Sequence, residues 1–406
     1  MPTKNMFSKI TQSSISIFFT LKEMNEFKAI CEKDGLGAAV SLVQEKEKEL
    51  HNTELHIAVT GESGAGKSSF INAMRGLQSI DKGAAKSGTT ETTMEPASYS
   101  HPNLPSVCFW DLPGLGTSNF QTDMYLQRMN FNKYDFFIII SDCRFRKNDA
   151  KLAKEIKQLG KKFYFVRTKI DNDLRSLKQE GRKFNTCEEL DKIRNYCVSN
   201  LEKAGIPTSA IFLISNFKNN KFDFPALKNA LENDLDDIKK HVFLLSLQNT
   251  TMEIIGKKRN ELKKQIWMWA ILSGAVGAVP VPGLSFACDL GILAKTIIDF
   301  RKHMGLDDAS LQRLSVTTGI HMENLKGVAK TPLLGEIGKE FVKTALLSSR
   351  YAAISASEIA LDWIPVIGSI FGAVSSFAVT YTFLNDALDD LTENAKRVMK
   401  AAFGTD

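Results

Sequence analysis

A chain of 406 residues with 43% hydrophobic and 24% charged residues is globular, long enough for two domains, and too apolar to be intrinsically disordered. Its formal net charge of +6 is mild, and the basic residues are interleaved with acids, as in Glu45-Lys46-Glu47-Lys48-Glu49. There is no basic stripe with interleaved aromatics, so nucleic acid is not an expected partner. Six cysteines (Cys31, Cys108, Cys143, Cys187, Cys197, Cys288) show no metal-like pairing, and several lie in apolar runs where a thiol serves as a small hydrophobe; a reducing, cytosolic setting is expected. Residues 1–20 carry too many polar interruptions for a signal peptide, and Pro2 stands where N-myristoylation requires glycine.

In chain order, Leu21 to Lys33 and Leu36 to Leu50 read as helices, with apolar residues three and four apart and a break at Gly35 and Gly37. From Leu55 the pattern changes to short β-rich runs separated by amphipathic helical segments. The runs are Leu55 to Val59, Val107 to Trp110, Phe136 to Ile140, Phe163 to Val166 and Ile211 to Ile214. Near-continuous apolar strands alternating with helices predict an α/β domain with a mostly parallel sheet covered on both faces. Beyond about Lys240 the strand signal ends, and helices rich in Leu, Ala, Ile and Val follow. The predicted divisions are residues 1–54, a helical segment; 55–239, the α/β domain; and 240–406, a helical domain. Within the last, Ile266 to Cys288 and Trp363 to Asn385 carry no charge and by length alone could cross a bilayer. Gly274, Gly277, Pro280, Pro282 and Gly283 interrupt the first, and Pro365, Gly368 and Gly372 the start of the second, so packed helices joined by turns are favoured over a membrane-inserting hairpin.

The chemistry sits in loops that follow strands, where open α/β sheets bind ligands. Gly61-Glu62-Ser63-Gly64-Ala65-Gly66-Lys67-Ser68, between the first strand and a helix-like run from Ser69 to Arg75, has the pattern of a phosphate-binding loop. Its glycines let backbone N–H groups and the positive end of the next helix face a polyphosphate. Lys67 supplies a point charge for the outer phosphates, and the Ser68 hydroxyl a ligand for Mg²⁺. Asp111-Leu112-Pro113-Gly114 follows the second strand: Asp111 suits Mg²⁺, usually through water, and the Gly114 N–H the γ-phosphate. After it comes Leu115, which cannot polarise a water molecule, so hydrolysis is expected to be slow or to recruit a group from another subunit or from the nucleotide.

Thr168-Lys169-Ile170-Asp171 predicts base selectivity. A carboxylate there accepts from both N1–H and the exocyclic amine of guanine, a pair adenine does not offer, while the lysine stem lies along the base. Ser215-Asn216 stands where a last loop would support the base. The polar stretch Ser87-Gly88-Thr89-Thr90-Glu91-Thr92-Thr93 predicts a nucleotide-sensitive loop in which Thr93, or else Thr89 or Thr90, reaches Mg²⁺ and the γ-phosphate; a plain surface loop is the alternative. His56, His101 and His241 form no plausible triad or metal cluster, and structural roles are expected of them.

With these motifs the chain resembles the interferon-inducible immunity-related GTPases. The likeness runs through Gly61 to Ser69, Phe109-Trp110-Asp111-Leu112-Pro113-Gly114, Tyr134 to Ser141, Phe163 to Lys169 and Ser310-Leu311-Gln312-Arg313-Leu314. It implies a Ras-like P-loop GTPase domain set between N- and C-terminal segments that together build an all-α domain. Also implied is an enzyme that assembles through its nucleotide face with GTP and helps disrupt pathogen-containing vacuoles. Such a protein is cytoplasmic and peripherally associated with intracellular membranes, vacuolar or endoplasmic reticulum. Lys67 matches the effector branch rather than the regulators with methionine at that place, and other family members are possible regulators of it. In similar proteins a switch-loop glutamate and the partner's ribose hydroxyl assist hydrolysis, and the matching residue is Glu91. Two other readings stay open: a nucleotide-dependent regulatory switch, and a dynamin- or septin-like membrane-remodelling scaffold with little hydrolysis.

Overall fold

A computed structural model describes residues 26, 29–30, 33–34, 36–86, 95–113, 129–142, 147–206, 210–277, 284–347 and 371–404. The chain divides into two compact units, one running from Glu54 to Leu247 and the other formed by residues on both sides of it. The predicted helix over 21–33 and the polar loop over 87–93 lie wholly or mostly outside the described residues.

The first unit is a six-stranded sheet in the order β2-β3-β1-β4-β5-β6. Its strands are β1 (Leu55–Gly61), β2 (Ala97–Ser100), β3 (Val107–Asp111), β4 (Phe136–Ser141), β5 (Lys162–Arg167) and β6 (Ile211–Leu213). All neighbours pair parallel except the edge strand β2, which runs antiparallel to β3. All six residues of β4 are buried, as the unbroken run Phe-Phe-Ile-Ile-Ile requires of a central parallel strand covered on both faces. Strand β2 was not anticipated. Ala-Ser-Tyr-Ser is short and polar, its residues alternate between half-buried and exposed, and only pairing with β3 makes it a strand.

Among the described residues this unit also holds helices α2 (Lys67–Arg75), α3 (Lys147–Gln158), α4 (Ile170–Gln179), α5 (Thr186–Lys203), α6 (Phe224–Asp234) and α7 (Asp237–Ser246) and a 3₁₀ turn at Phe131–Lys133, after α1 (Leu36–Asn52) in the other. Alternation along the strands divides their side chains between two layers. Ala58, Phe137, Ile139, Phe163 and Phe165 share one apolar cluster with Leu152, Ala153 and Ile156 of α3 and Cys197 and Leu201 of α5. On the other face Tyr164 meets Phe136 at a tilt and Phe212 edge-on, with centroids 4.7 and 5.1 Å away, and its hydroxyl donates to Asp234 of α6. Helix α7 straddles the composition shift at 239/240 and packs on β1 and β3. Lys239 ties it to Asp135, 2.8 Å away, whose other carboxylate oxygen accepts from the His56 N–H.

Lys228 on α6 is 5% exposed, with its ammonium 5.1 Å from the Phe224 ring centroid. Burial pushes its pKa down to about 8. The folded value lies below the unfolded one, so the cost of charging it acts in full below about pH 8 and is relieved as pH rises towards 10.5. Lys228→Met is expected to raise stability by about 1–3 kcal/mol at pH 7, read from urea unfolding, with the gain shrinking at pH 9.5. An equal or absent gain at both values would refute this account.

The second unit is helical: α1, α8 (Met252–Gly277), α9 (Leu284–His303), α10 (Asp308–Thr318), α11 (Met322–Val328), α12 (Lys339–Leu346) and α13 (Phe371–Phe403), with a 3₁₀ turn at Pro332–Leu334. The long helices α8 and α13 lie along each other, α1 packs on α8, and α9 and α11 on α13. Ile255, Leu262, Ile266, Leu384, Leu388 and Leu391 are buried between them. Gly274 does not break the first apolar segment as expected: α8 continues to Gly277. A glycine inside a helix costs only about 1 kcal/mol, less than the packing α8 gains along α13, where the Thr380 hydroxyl donates to Ser273. Among the described residues no helix is long and apolar enough to cross a membrane.

Candidate functional site: a phosphate loop joined to a base pocket

The carboxyl ends of β1, β3, β4, β5 and β6 lie side by side because the strands are parallel, and β1 is the point at which the chain order reverses, with β3 on one side and β4 on the other. Pairing of Val59 with Asp111 and of Gly61 with Ile140 fixes the rim. Gly61 has φ 140°, and a Cβ there would fall 2.1 Å from the Ile140 carbonyl oxygen, so nothing but glycine fits. The chain then turns through Glu62, half-buried, and Ser63 and Gly64, exposed, to Ala65, buried beneath the loop. Gly66 opens α2 in a left-handed conformation, with no side chain among the described residues capping the helix. The first-turn N–H groups, including those of Lys67, Ser68 and Ser69, therefore face the loop, which is the arrangement that binds phosphate.

Lys67 is buried and its ammonium donates to the carbonyls of Gly61 (3.2 Å) and Glu62 (3.0 Å), arched over the loop a phosphate would enter. The Ser68 hydroxyl donates to Asp111 Oδ2 at 2.6 Å. These are hard oxygen donors at the lip of the loop, the set that suits Mg²⁺ when phosphate oxygens and water complete its octahedron. Leu112 and Pro113, both buried, follow Asp111, and the Leu112 N–H bonds to the Val59 carbonyl at 3.0 Å, anchoring the start of that loop to β1. Gly114, Glu91 and Thr93 fall outside the described residues, as does Leu115.

The base motif is bonded directly to the phosphate loop. Thr168 Oγ1 donates to the Ala65 carbonyl at 2.7 Å, and Asn216 Nδ2 to the Gly66 carbonyl at 3.2 Å. Lys169 has φ 61°, unusual for a side-chain-bearing residue, and its ammonium bonds to the Gly64 carbonyl (2.8 Å) and to Asp142 (2.6 Å). That reach lays the lysine stem across the loop. Asp171 is 9% exposed in the first turn of α4, and Ser215 is fully buried. The Ile170 N–H bonds to the Ile214 carbonyl at 3.2 Å, joining the two base loops.

Asp142 and Arg167 were not singled out from the sequence. Asp142 follows β4 as the other motifs follow their strands, and that position was the available signal. Arg167, buried at the end of β5, donates to the carbonyls of Asp142 and Thr168 and pairs with Asp173 at 2.6 Å, bracing the turn on which Lys169 stands. Burial pushes the Asp173 carboxyl up, and Arg167 opposes that rise. Asp142→Ala is expected to loosen Lys169 and weaken GDP binding roughly tenfold, about the value of one partly exposed charged contact. An unchanged titration would show that Lys169 needs no such support.

The histidines belong to local structure. His56 Nδ1 accepts from Trp110 Nε1 at 3.2 Å, with Nε2 3.0 Å from Glu54; His101 Nδ1 accepts from the Asn103 N–H at 3.2 Å; and His241 is buried in α7.

The family described as Interferon-inducible GTPase (IIGP) matches residues 21–402. This chain belongs to the interferon-inducible GTPases. It is 37% identical over 398 residues to Interferon-inducible GTPase 5 of Rattus norvegicus, covering 98% of this chain and 86% of that one. With T-cell-specific guanine nucleotide triphosphate-binding protein 2 of Mus musculus it shares 41% over 366 residues, 90% and 86% of the two chains. With Interferon-inducible GTPase 1 of Mus musculus the figures are 39% over 371 residues, 91% and 87%. As a member it is a GTP-binding protein and a GTPase. Its mostly parallel sheet with the phosphate loop after β1 is the P-loop GTPase domain, and the remainder of this GTPase is helical.

Proposed function

We propose that this GTPase binds Mg²⁺·GTP across the loops after β1, β3, β5 and β6, hydrolyses it when two copies meet at their nucleotide faces, and acts in cell-autonomous defence at intracellular membranes. The observation that carries the nucleotide part is the pair of side-chain bonds, Thr168 to Ala65 and Asn216 to Gly66, that lock base and phosphate loops into one site.

In this reading Gly61 to Ser69 enclose the β- and γ-phosphates, and Lys67 leaves its loop carbonyls for phosphate oxygens. Ser68 and Asp111 would hold Mg²⁺, which when bound would supply positive charge against the phosphate oxygens. Asp171 accepts from the guanine N1–H and amine, and Ser215-Asn216 support the base. Thr93 would add a ligand to the metal, and the Gly114 N–H would reach the γ-phosphate. Glu91 assists the attacking water, the work Leu115 cannot do. Dependence on a second copy enters through the ribose hydroxyl of the partner's nucleotide, which reaches the reacting water only across the interface.

Turnover measured against protein concentration, with GTP and ATP in parallel, tests these steps together. GTP turnover per molecule should climb with concentration while ATP is left untouched. Flat GTP turnover would refute hydrolysis coupled to assembly and favour the regulatory switch, and equal ATP turnover would refute the base assignment. Membrane action is tested by co-sedimentation with liposomes containing anionic lipid, with GTP or GDP present; no nucleotide-dependent pelleting would overturn it.

A further inference from the structure

Phe217 and Ile80 are the most exposed large hydrophobic side chains among the described residues, at 84% and 83%. Ile80 lies in the loop after α2; Phe217 follows directly on Ser215-Asn216, at the edge of the base loops. A phenylalanine at a loop tip, followed by exposed Lys218, contributes little to the core, and its ring costs free energy while it faces water. Its backbone is nonetheless held: the Phe217 N–H donates to Ser215 Oγ at 3.3 Å, and the Lys218 N–H to the Ser215 carbonyl at 3.3 Å, on a serine that is itself fully buried. Between Phe217 and the phosphate loop stands Asn216, whose Nδ2 is spent on Gly66 and whose Oδ1 is buried without a hydrogen-bond partner among the described residues. The loop is thus an ordered turn that presents an exposed aromatic ring next to Asn216, which is bonded to the phosphate loop.

We propose that Phe217 is a base-binding residue that stacks on the guanine ring. This rests on the guanine-nucleotide reading of the site. A base whose Watson–Crick edge meets Asp171 must lie between the 168–171 loop, which brings the Lys169 stem, and the 215–217 loop, because those loops are joined by the Ile170–Ile214 bond. One face is then covered by an aliphatic stem and the other is offered a ring. Stacking on an aromatic side chain is sequence-tolerant, so Phe217 strengthens binding of any base, while Asp171 alone chooses guanine. It also gives the ring a reason to be exposed before nucleotide arrives, since its apolar area leaves water only on binding.

The test compares GDP with ribose 5-diphosphate, which keeps the sugar and phosphates and lacks the base, in equilibrium titrations of the full chain. Phe217→Ala should weaken GDP about fivefold to a hundredfold, leave ribose 5-diphosphate unchanged, and weaken IDP in the same proportion as GDP. Phe217→Trp should restore GDP affinity, with indole emission quenched as GDP is added. Unchanged GDP affinity in Phe217→Ala would overturn the proposal, as would equal losses for GDP and ribose 5-diphosphate, which mark a disturbed loop. If the unmodified protein holds ribose 5-diphosphate as tightly as GDP, the guanine reading itself fails, and the stacking role with it.

Discussion

Asp171→Asn is expected to move nucleotide preference from guanosine to xanthosine. The aspartate carboxylate can take two N–H donors from guanine, and each charge-assisted bond of this kind is worth about 1.5–3 kcal/mol. An amide in its place turns one acceptor into a donor, which meets the N–H edge of guanine badly and the extra carbonyl of xanthine well. Losing one of these bonds and turning the other into a neutral one predicts a fall in GDP affinity of roughly 10- to 10³-fold, with XDP gaining relative to it. Stability should change little, because Asp171 is at the rim of the sheet, in the first turn of α4. Competitive titration of GDP against XDP reads both effects, and an unaltered ratio would place base recognition elsewhere.

Lys67→Ala carries the second large effect. The ammonium is buried and already bound to the carbonyls of its own loop, so it is organised before the ligand arrives and little entropy is lost in redirecting it. Truncating one member of a buried charge pair costs about 2–5 kcal/mol, which predicts a loss of triphosphate affinity of roughly thirtyfold to several thousandfold. Turnover should fall with it, since the same charge faces the transferred phosphoryl group. Calorimetric titration with a non-hydrolysable GTP analogue measures the effect, with thermal unfolding as the control for the fold. Retained affinity in a folded variant would mean that the loop over 61–68 is not the phosphate site.

The strands and phosphate loop were legible because their signals are local. A mostly apolar run of four or five residues betrays a doubly covered strand, and Gly61, Gly64 and Gly66 stand where the backbone takes positive φ. Strand β2 was not legible, since Ala97 to Ser100 has no strand pattern of its own and owes its conformation to the edge of β3. Gly274 misled for the same kind of reason: a local breaker was outweighed by packing along α13. Asp142 and Arg167 escaped notice because their work is to hold Lys169, a role visible only when the ends of β4 and β5 are side by side.

The order of motifs along the chain, the glycine-rich loop over 61–68, then Asp111, then Asp171, each following a strand, was determined by the sequence alone, because glycine, lysine and aspartate carry their chemistry wherever the backbone takes them. That these parts form one site was decided by the tertiary structure. Ser68 and Asp111 are 43 residues apart and Thr168 and Ala65 are 103 apart, yet they meet at 2.6 and 2.7 Å. Parallel pairing in the order β3-β1-β4-β5 sets those distances, since it brings the carboxyl ends of strands distant in sequence to a common edge, and no spacing within the chain encodes that edge.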